Sequence, residues 1–490
     1  MERPARLWIR IWWQPGRAWR SAPIVRRGKA MTLSRAWVRW TVGWLGAAAL
    51  VTGPAFAGKS EASSAPVVTV AFGGDMIGPV HPMNRAGDPA FAGVAELFRK
   101  ADVGFVNQEN AVFDLNRFSG YPAAENGGGY PLRYAGHAAE LKDMGATLVS
   151  LANNHPTDWG SEGLAATLRN LAAAGVVAGG AAMSDAAARG PVFQLTPKGA
   201  VALVATASTF PPTAVAGPAI ERHAMMSQPR PGISPLHVRK VRVVPPPLYK
   251  VVLEAAGPTA LRDGPDMRVG DQVFRQGDSL GSLWEMKPSD RDALLDAVAE
   301  ARKRAGLVLF SIHAHETAGE DEEPAVPYHP VFLQHANEAA SPNDPRPASF
   351  QVELFHAAID HGASAVARHG PHIISGIEIY KGKPIFYGLG SLFLDFGGAR
   401  VLDTPSGETI HVPDIWYESF VPVVEYQGER VRSIRLYPVL IEDKAGPRSG
   451  SPSLARGERA RTILGRLQAL SAPFGTKIRI NGDIGIVELE

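Results

Sequence analysis

Six short apolar runs rich in β-branched residues recur between residues 67 and 369: VVTVAFGGD, VGFVN, ATLVSLA, AVALVATA, GLVLFSIHAH and ASAVARH. Four amphipathic stretches fall among them: PAFAGVAELFRKA, GSEGLAATLRNLAAAG, SDRDALLDAVAEARKRAG and ASFQVELFHAAIDHG. In the second of these, Leu164, Leu168 and Leu171 share one helical face. Runs so uniformly apolar suit strands covered on both faces. Strands alternating with helices specify an α/β fold. The strands are too short, and the helices too amphipathic, for a membrane bundle.

The flanks divide the chain further. Residues 1–57 hold ten of the 50 Lys/Arg and one of the 48 Asp/Glu, so 40 cations against 47 anions leave residues 58–490 at −7. Trp40–Gly58 is uncharged and ends in Ala55-Phe56-Ala57. A basic lead, an apolar core and a small-x-small triplet describe a secretory signal, with Met31 as a start of ordinary length. The Arg26-Arg27 pair also fits twin-arginine export. The expected location is therefore exported, in the periplasm or cell envelope, with membrane contact only through this segment if it stays uncleaved. An acidic mature chain gives nucleic acid no electrostatic footing. Residues 58–66 read as a linker, 67–395 as the main domain and 396–490 as a β-rich extension. Within the domain, residues of about 210–286 break the alternation with Pro, Gly and Arg, as a lid-like insertion does. The extension reads as a hairpin around YQGER, a helix over Leu454–Leu470 and a strand pair around NGD.

Polar groups able to bind metal recur at the carboxyl ends of the strands, where α/β sheets gather ligands. Asp75 follows the first run, and Asn107 and Glu109 the second. Asn153, Asn154, His155 and Asp158 follow the third. His313, His315 and Glu316 end the fifth, and His369 and His372 the last. Taken singly, several have plain readings: Asp75 or Asp158 as helix caps, His155 as a surface histidine. His313 and His315 lie two apart and so face one way along a strand. Cysteine is absent, which rules out thiolate sites and disulfides. The remaining donors suit divalent zinc, manganese, iron or magnesium, and six to eight ligands are enough for two neighbouring ions. Spacing leaves open which histidines are ligands and which carry protons.

Five segments, in this order, resemble the CapA family of capsule-synthesis proteins, associated with poly-γ-glutamate capsules. They are FGGDMIG, NQENAVF, LANNHPTDWGSEGLAATLRNLAAAGV, SIHAHE and RHGPHIISGIEIYKGKPIFYGLGSLFLD, within Val67 to Asp395. That family is similar in fold to the calcineurin-like metallophosphoesterases, a four-layer α/β/β/α sandwich. The resemblance implies metal-site roles for Asp75, Glu109, Asn154, His155, His313, His369 and His372. It implies catalytic or substrate-side roles for Asn107, Asp158 and His315, with Glu316 in support and Glu378 shaping the pocket. It implies a metal-dependent hydrolase acting on an anionic polymer, with a periplasmic phosphoesterase acting on phosphoesters as one alternative. A non-enzymatic assembly factor that partners a membrane-bound capsule synthase is the other. Three positions depart from the family pattern. Ile77 stands where metallophosphoesterases carry a ligand His. Arg368 replaces a Gly, which either crowds a turn or adds an anion contact. Ser391 replaces an amide.

Overall fold

The computed structural model describes residues 65–78, 83, 88–123, 131–222, 225–318, 345–403 and 409–489. The basic segment and the stretch expected to be an export signal lie outside them. Among the described residues no helix is long and apolar enough to cross a membrane.

The chain opens as β1 (Val67–Ile77), α1 (Pro89–Lys100), β2 (Val103–Gln108), α2 (His137–Met144), β3 (Ala146–Ser150), α3 (Gly160–Ala173) and β4 (Val177–Gly179). These four strands run parallel. A second sheet begins with β5 (Val192–Thr196) and β6 (Gly199–Ala207). An inserted five-stranded sheet follows: β7 (Val238–Val244), α4 (Pro246–Ala256), β8 (Leu261–Asp263), β9 (Asp266–Val269), β10 (Gln272–Gln276) and β11 (Gly281–Met286). The second sheet resumes with α5 (Pro288–Arg302), β12 (Leu307–His313), α6 (Ser349–Asp360), β13 (Ala365–His369), β14 (Ile377–Tyr380) and β15 (Lys383–Phe386). The chain then returns to the first sheet through β16 (Ser391–Leu394), the hairpin β17 (Glu418–Gln427) and β18 (Arg430–Ile441), β19 (Pro452–Leu454), α7 (Gly457–Ser471), β20 (Ile478–Asn481) and β21 (Ile484–Val487).

The first sheet is ordered β20-β21-β18-β17-β1-β2-β3-β4, with β16 on β1 and β19 on β18; the second is β14-β15-β13-β12-β6-β5. Side-chain alternation shows how they stack. Phe72 of β1 meets Phe386 of β15 across the sheets, ring centroids 5.3 Å apart, while its neighbour Gly73 faces Phe98 of α1. Leu309 of β12 joins the core between the sheets, while Phe310 turns outward among Leu294 of α5 and Phe355 of α6. The result is four layers, helix–sheet–sheet–helix, as the sequence leads one to expect. The four helices marked in the sequence each bury an apolar stripe, such as Phe91, Val94, Ala95 and Phe98 in α1. A fully buried Phe of this kind contributes roughly 2–3 kcal/mol. The inserted sheet rests on the outer helices: Trp284 packs 6.0 Å from Phe350 of α6, and His237 bonds Asp290 at the start of α5.

Near its end β1 shifts register between Phe72 and Asp75. It leaves the hairpin strand β17 and takes up β16, so that Asp75 is flanked by Asn107 on one side and Ser391 on the other. Gly74 allows this. A Cβ there would lie 1.7 Å from the Gly390 carbonyl oxygen.

Candidate metal centre

β1, β2, β12 and β13 end side by side, and their last residues meet between the two sheets. The floor is fully enclosed: Asp75, Asn107 and His313 have no exposed surface, and Glu109 and His369 have almost none. Asn107 Nδ2 donates to Asp75 Oδ1 at 2.8 Å and to Glu109 Oε2 at 3.2 Å. The Gly370 N–H donates to Asp75 Oδ2 at 3.1 Å. His313 and His369 pair in register, with Nδ1 atoms 3.2 Å apart. Ser311 Oγ lies 2.8 Å from His369 Nε2.

His155, His315 and His372 are less enclosed and form a rim. His315 Nε2 stands 2.9 Å from His313 Nε2. His372 Nδ1 lies 3.0 Å from Asp75 Oδ2 and 3.2 Å from Ser391 Oγ. Its φ of 59° is a left-handed conformation that costs a non-glycine residue energy, and Trp416 meets its ring edge-on at 5.0 Å. His155 Nδ1 is held by Asp158 Oδ2 at 2.7 Å, and its Nε2 is 3.9 Å from Glu109 Oε1.

The electrostatics follow from enclosure. Burial alone raises Asp75, but His372, His369 and Asn107 outweigh it and hold the carboxyl down at about 2. Burial, with the charges of Asp75 and Asp158, pushes Glu109 well above the usual carboxylate value. Burial lowers His313 strongly, His315 to about 3 and His369 to about 4. Burial thus favours the acid form of Glu109 and the neutral imidazoles of His313 and His369, while Asp75 is held ionised.

This donor set fits divalent cations. Ligand atoms of Asp75, His313 and His369 lie within 4.8 Å of one another, and so do those of Asp75, Glu109 and His372. The two triads share Asp75, as ligands bridging two ions do. Asn154 Oδ1 is buried with no hydrogen-bond partner, a loss of roughly 1–3 kcal/mol that a cation would offset. His155 belongs to neither triad.

Several sequence expectations change. Asp75 lies within β1 and caps nothing. Asp158 does not cap α3, whose N-cap residue is Trp159 and makes no side-chain bond there; its carboxylate is engaged by His155 instead. Arg368 neither crowds the turn nor faces the centre. It is fully buried and donates to the carbonyls of Ala314 (3.0 Å), Tyr387 (3.0 Å) and Glu316 (2.8 Å). Glu378 is turned away from the centre, bonded by His356 at 2.9 Å and Tyr387 at 2.7 Å. Glu316 accepts from Ser208 at 2.7 Å, and burial lifts it to about 6. Ile77 sits in an apolar cluster with Ile373, Leu394 and Trp416. Sequence reading missed Ser311, Thr209, which accepts the His315 N–H at 2.9 Å, and Trp416. Hydroxyl and indole groups give no ligand signal. Period two along GLVLFSIHAH, however, puts Ser311 on the face of His313.

Residues 69–335 and 330–395 match the family model described as bacterial capsule synthesis protein PGA_cap. The uncharacterized protein y4sH of Sinorhizobium fredii is 34% identical over 437 residues, 82% of this chain and 89% of that protein. The PGA biosynthesis protein CapA of Bacillus subtilis is 29% identical over 117 residues, 24% of each chain. Among solved structures, a phosphatase from Mycoplasma pneumoniae aligns over 78% of this chain and 96% of its own, with 12% identity and a TM-score of 0.35.

Proposed function

The chain belongs to the family of bacterial capsule synthesis proteins, and we propose that it is an exported, metal-dependent hydrolase of an anionic cell-surface polymer of the poly-γ-glutamate kind. The observation that carries this reading is the pair of ligand triads sharing Asp75, with the hydrogen-bonded His155–Asp158 pair beside them. Export rests on the N-terminal signal pattern alone.

Asp75, His313 and His369 would hold one divalent ion, and Asp75, Glu109 and His372 a second, with Asn154 Oδ1 as a further donor. When bound, such ions lower the pKa of water and polarise the scissile group. The chain's own residues do the rest. Asp158 fixes the His155 ring with Nδ1 inward, leaving Nε2 as the atom that delivers a proton. Hydrolysis adds the oxygen of water to the carbonyl carbon, breaks the C–N bond and places a proton on the leaving nitrogen; His155 Nε2 is the donor for that last transfer. His315, on the open side with its Nε2 2.9 Å from His313 Nε2, would join the ligands of the first ion. The enclosed floor keeps bulk water from the carboxylates.

The test loads purified protein with manganese or zinc and follows release of new amino groups from poly-γ-glutamate, beside a panel of phosphate esters. Polymer cleavage that falls about 100-fold or more in Asp158→Asn, with metal content unchanged, is the expected result. Release of phosphate from simple esters alone would redirect the reading to a phosphoesterase. Unaltered function in cells carrying His313→Ala with His372→Ala would leave an assembly role instead.

A further inference from the structure

We propose that Arg368 is the positioning residue that fixes His315 as a metal ligand; the inference rests on the metal-site reading above. β12 ends at His313, and the last ladder bond runs from the Ala314 N–H to the His369 carbonyl at 2.9 Å. His313 is therefore placed by the sheet, and His315 is not. What holds His315 comes from side chains. Arg368 Nε takes the carbonyl before it, on Ala314, at 3.0 Å, and Nη2 takes the carbonyl after it, on Glu316, at 2.8 Å. Thr209 Oγ1 accepts its own N–H at 2.9 Å. The backbone on either side of the histidine is thus pinned by one rigid fork.

The next turn of chain completes the clamp. Nη1 of the same guanidinium holds the Tyr387 carbonyl at 3.0 Å. Gly370, at φ 125°, lies so close under the ring that a Cβ there would come within 2.7 Å of His315 Cδ2. Along β13, Arg368 and His369 face opposite sides of the sheet by simple alternation. His369 joins the floor while Arg368 reaches behind the loop. Burying a guanidinium is costly unless its donors are satisfied, and a neutral side chain would fill the space at lower cost. Arginine's planar fork spans carbonyls two residues apart, which the single ammonium of lysine does not reproduce.

A purely structural Arg368 and a positioning Arg368 differ in one respect. If Arg368 acts through His315, its loss changes nothing once His315 is gone. The experiment titrates Co2+ into the full chain and its Arg368→Lys, His315→Ala and doubly substituted variants, reading affinity and the visible absorption of bound cobalt. Arg368→Lys is expected to weaken binding about tenfold, the usual effect of disturbing a group behind a ligand, and to shift the absorption band. In the His315→Ala background the same change is expected to alter affinity less than about twofold. Thr209→Val, which removes the other pin, should move affinity in the same direction and serves if Arg368→Lys fails to fold. Wild-type affinity and band in both Arg368→Lys and Thr209→Val, or effects that multiply in the double variant, would overturn the proposal. Failure of the wild type to take up cobalt at all would instead sink the metal reading beneath it.

Discussion

Gly74→Ala should damage both the fold and the metal centre, because the space for a Cβ at that position is filled by backbone. The Cβ would lie 1.7 Å from the Gly390 carbonyl oxygen, whereas ordinary contact begins near 3.4 Å. β1 and β16 must therefore part by about 1.7 Å, and a backbone oxygen has no rotamer by which to yield. The adjacent bond, Asp75 N–H to Gly390 O at 3.2 Å, would break. Overpacking against rigid backbone costs about 3 kcal/mol. For a domain of roughly 425 residues, unfolding entropy near 2.1 cal/mol/K per residue turns that into a melting point about 3 °C lower. Metal affinity should fall at least about tenfold, since the shared ligand Asp75 moves with its strand. Gly73→Ala is the internal control: its nearest neighbour is the movable Leu392 side chain at 2.8 Å, so its effect on metal affinity should be smaller. Calorimetric melting of metal-free protein and metal titration read both effects. A Gly74→Ala protein that melts within about 1 °C of the wild type and binds metal equally well would refute the strand geometry at the site.

Two further outcomes follow from the enclosed groups. Metal-free protein should lose stability as pH falls from 6.5 towards 4. His137 and His315 are lowered to about 3 and His369 to about 4, mainly by burial, so over that range the unfolded chain binds protons the folded one refuses. Each contributes about 1.4 kcal/mol per pH unit, partly offset above pH 4.5 by the raised Glu109 and Glu316; denaturant midpoints unchanged between pH 6.5 and 5 would contradict this. Metal binding at a pH below the raised pKa of Glu109 should release its proton. Calorimetry in two buffers of different ionisation enthalpy should show that release, and Glu109→Gln should abolish it.

The layers were legible in the sequence because the central strands of both sheets are covered on both faces, so nearly every residue in them had to be apolar. Phe72 and Phe310 announce themselves this way. Asp75, Glu109, His313 and His369 were legible for the opposite reason: such groups are expensive to bury and appear at apolar strand ends only where something binds them. The rest was hidden by chemistry that spacing does not reveal. Asp158 has the look of a cap, yet serves His155, because a carboxylate three residues from a histidine suits either use. Arg368 suggested a site cation, although alternation from His369 already turns it away. The contacts of Trp416 and Thr209 come from distant loops, and the order of the inserted sheet depends on pairings with no local signal.

The central claim is that the two triads sharing Asp75 form a metal centre, and the most direct measurement is elemental analysis after reconstitution with manganese, zinc or iron. Between one and two ions per chain are expected in the wild type, and their loss in Asp75→Ala, which removes a ligand from both triads at once. Less than about 0.3 ion per folded chain, or content unchanged by Asp75→Ala, would contradict it.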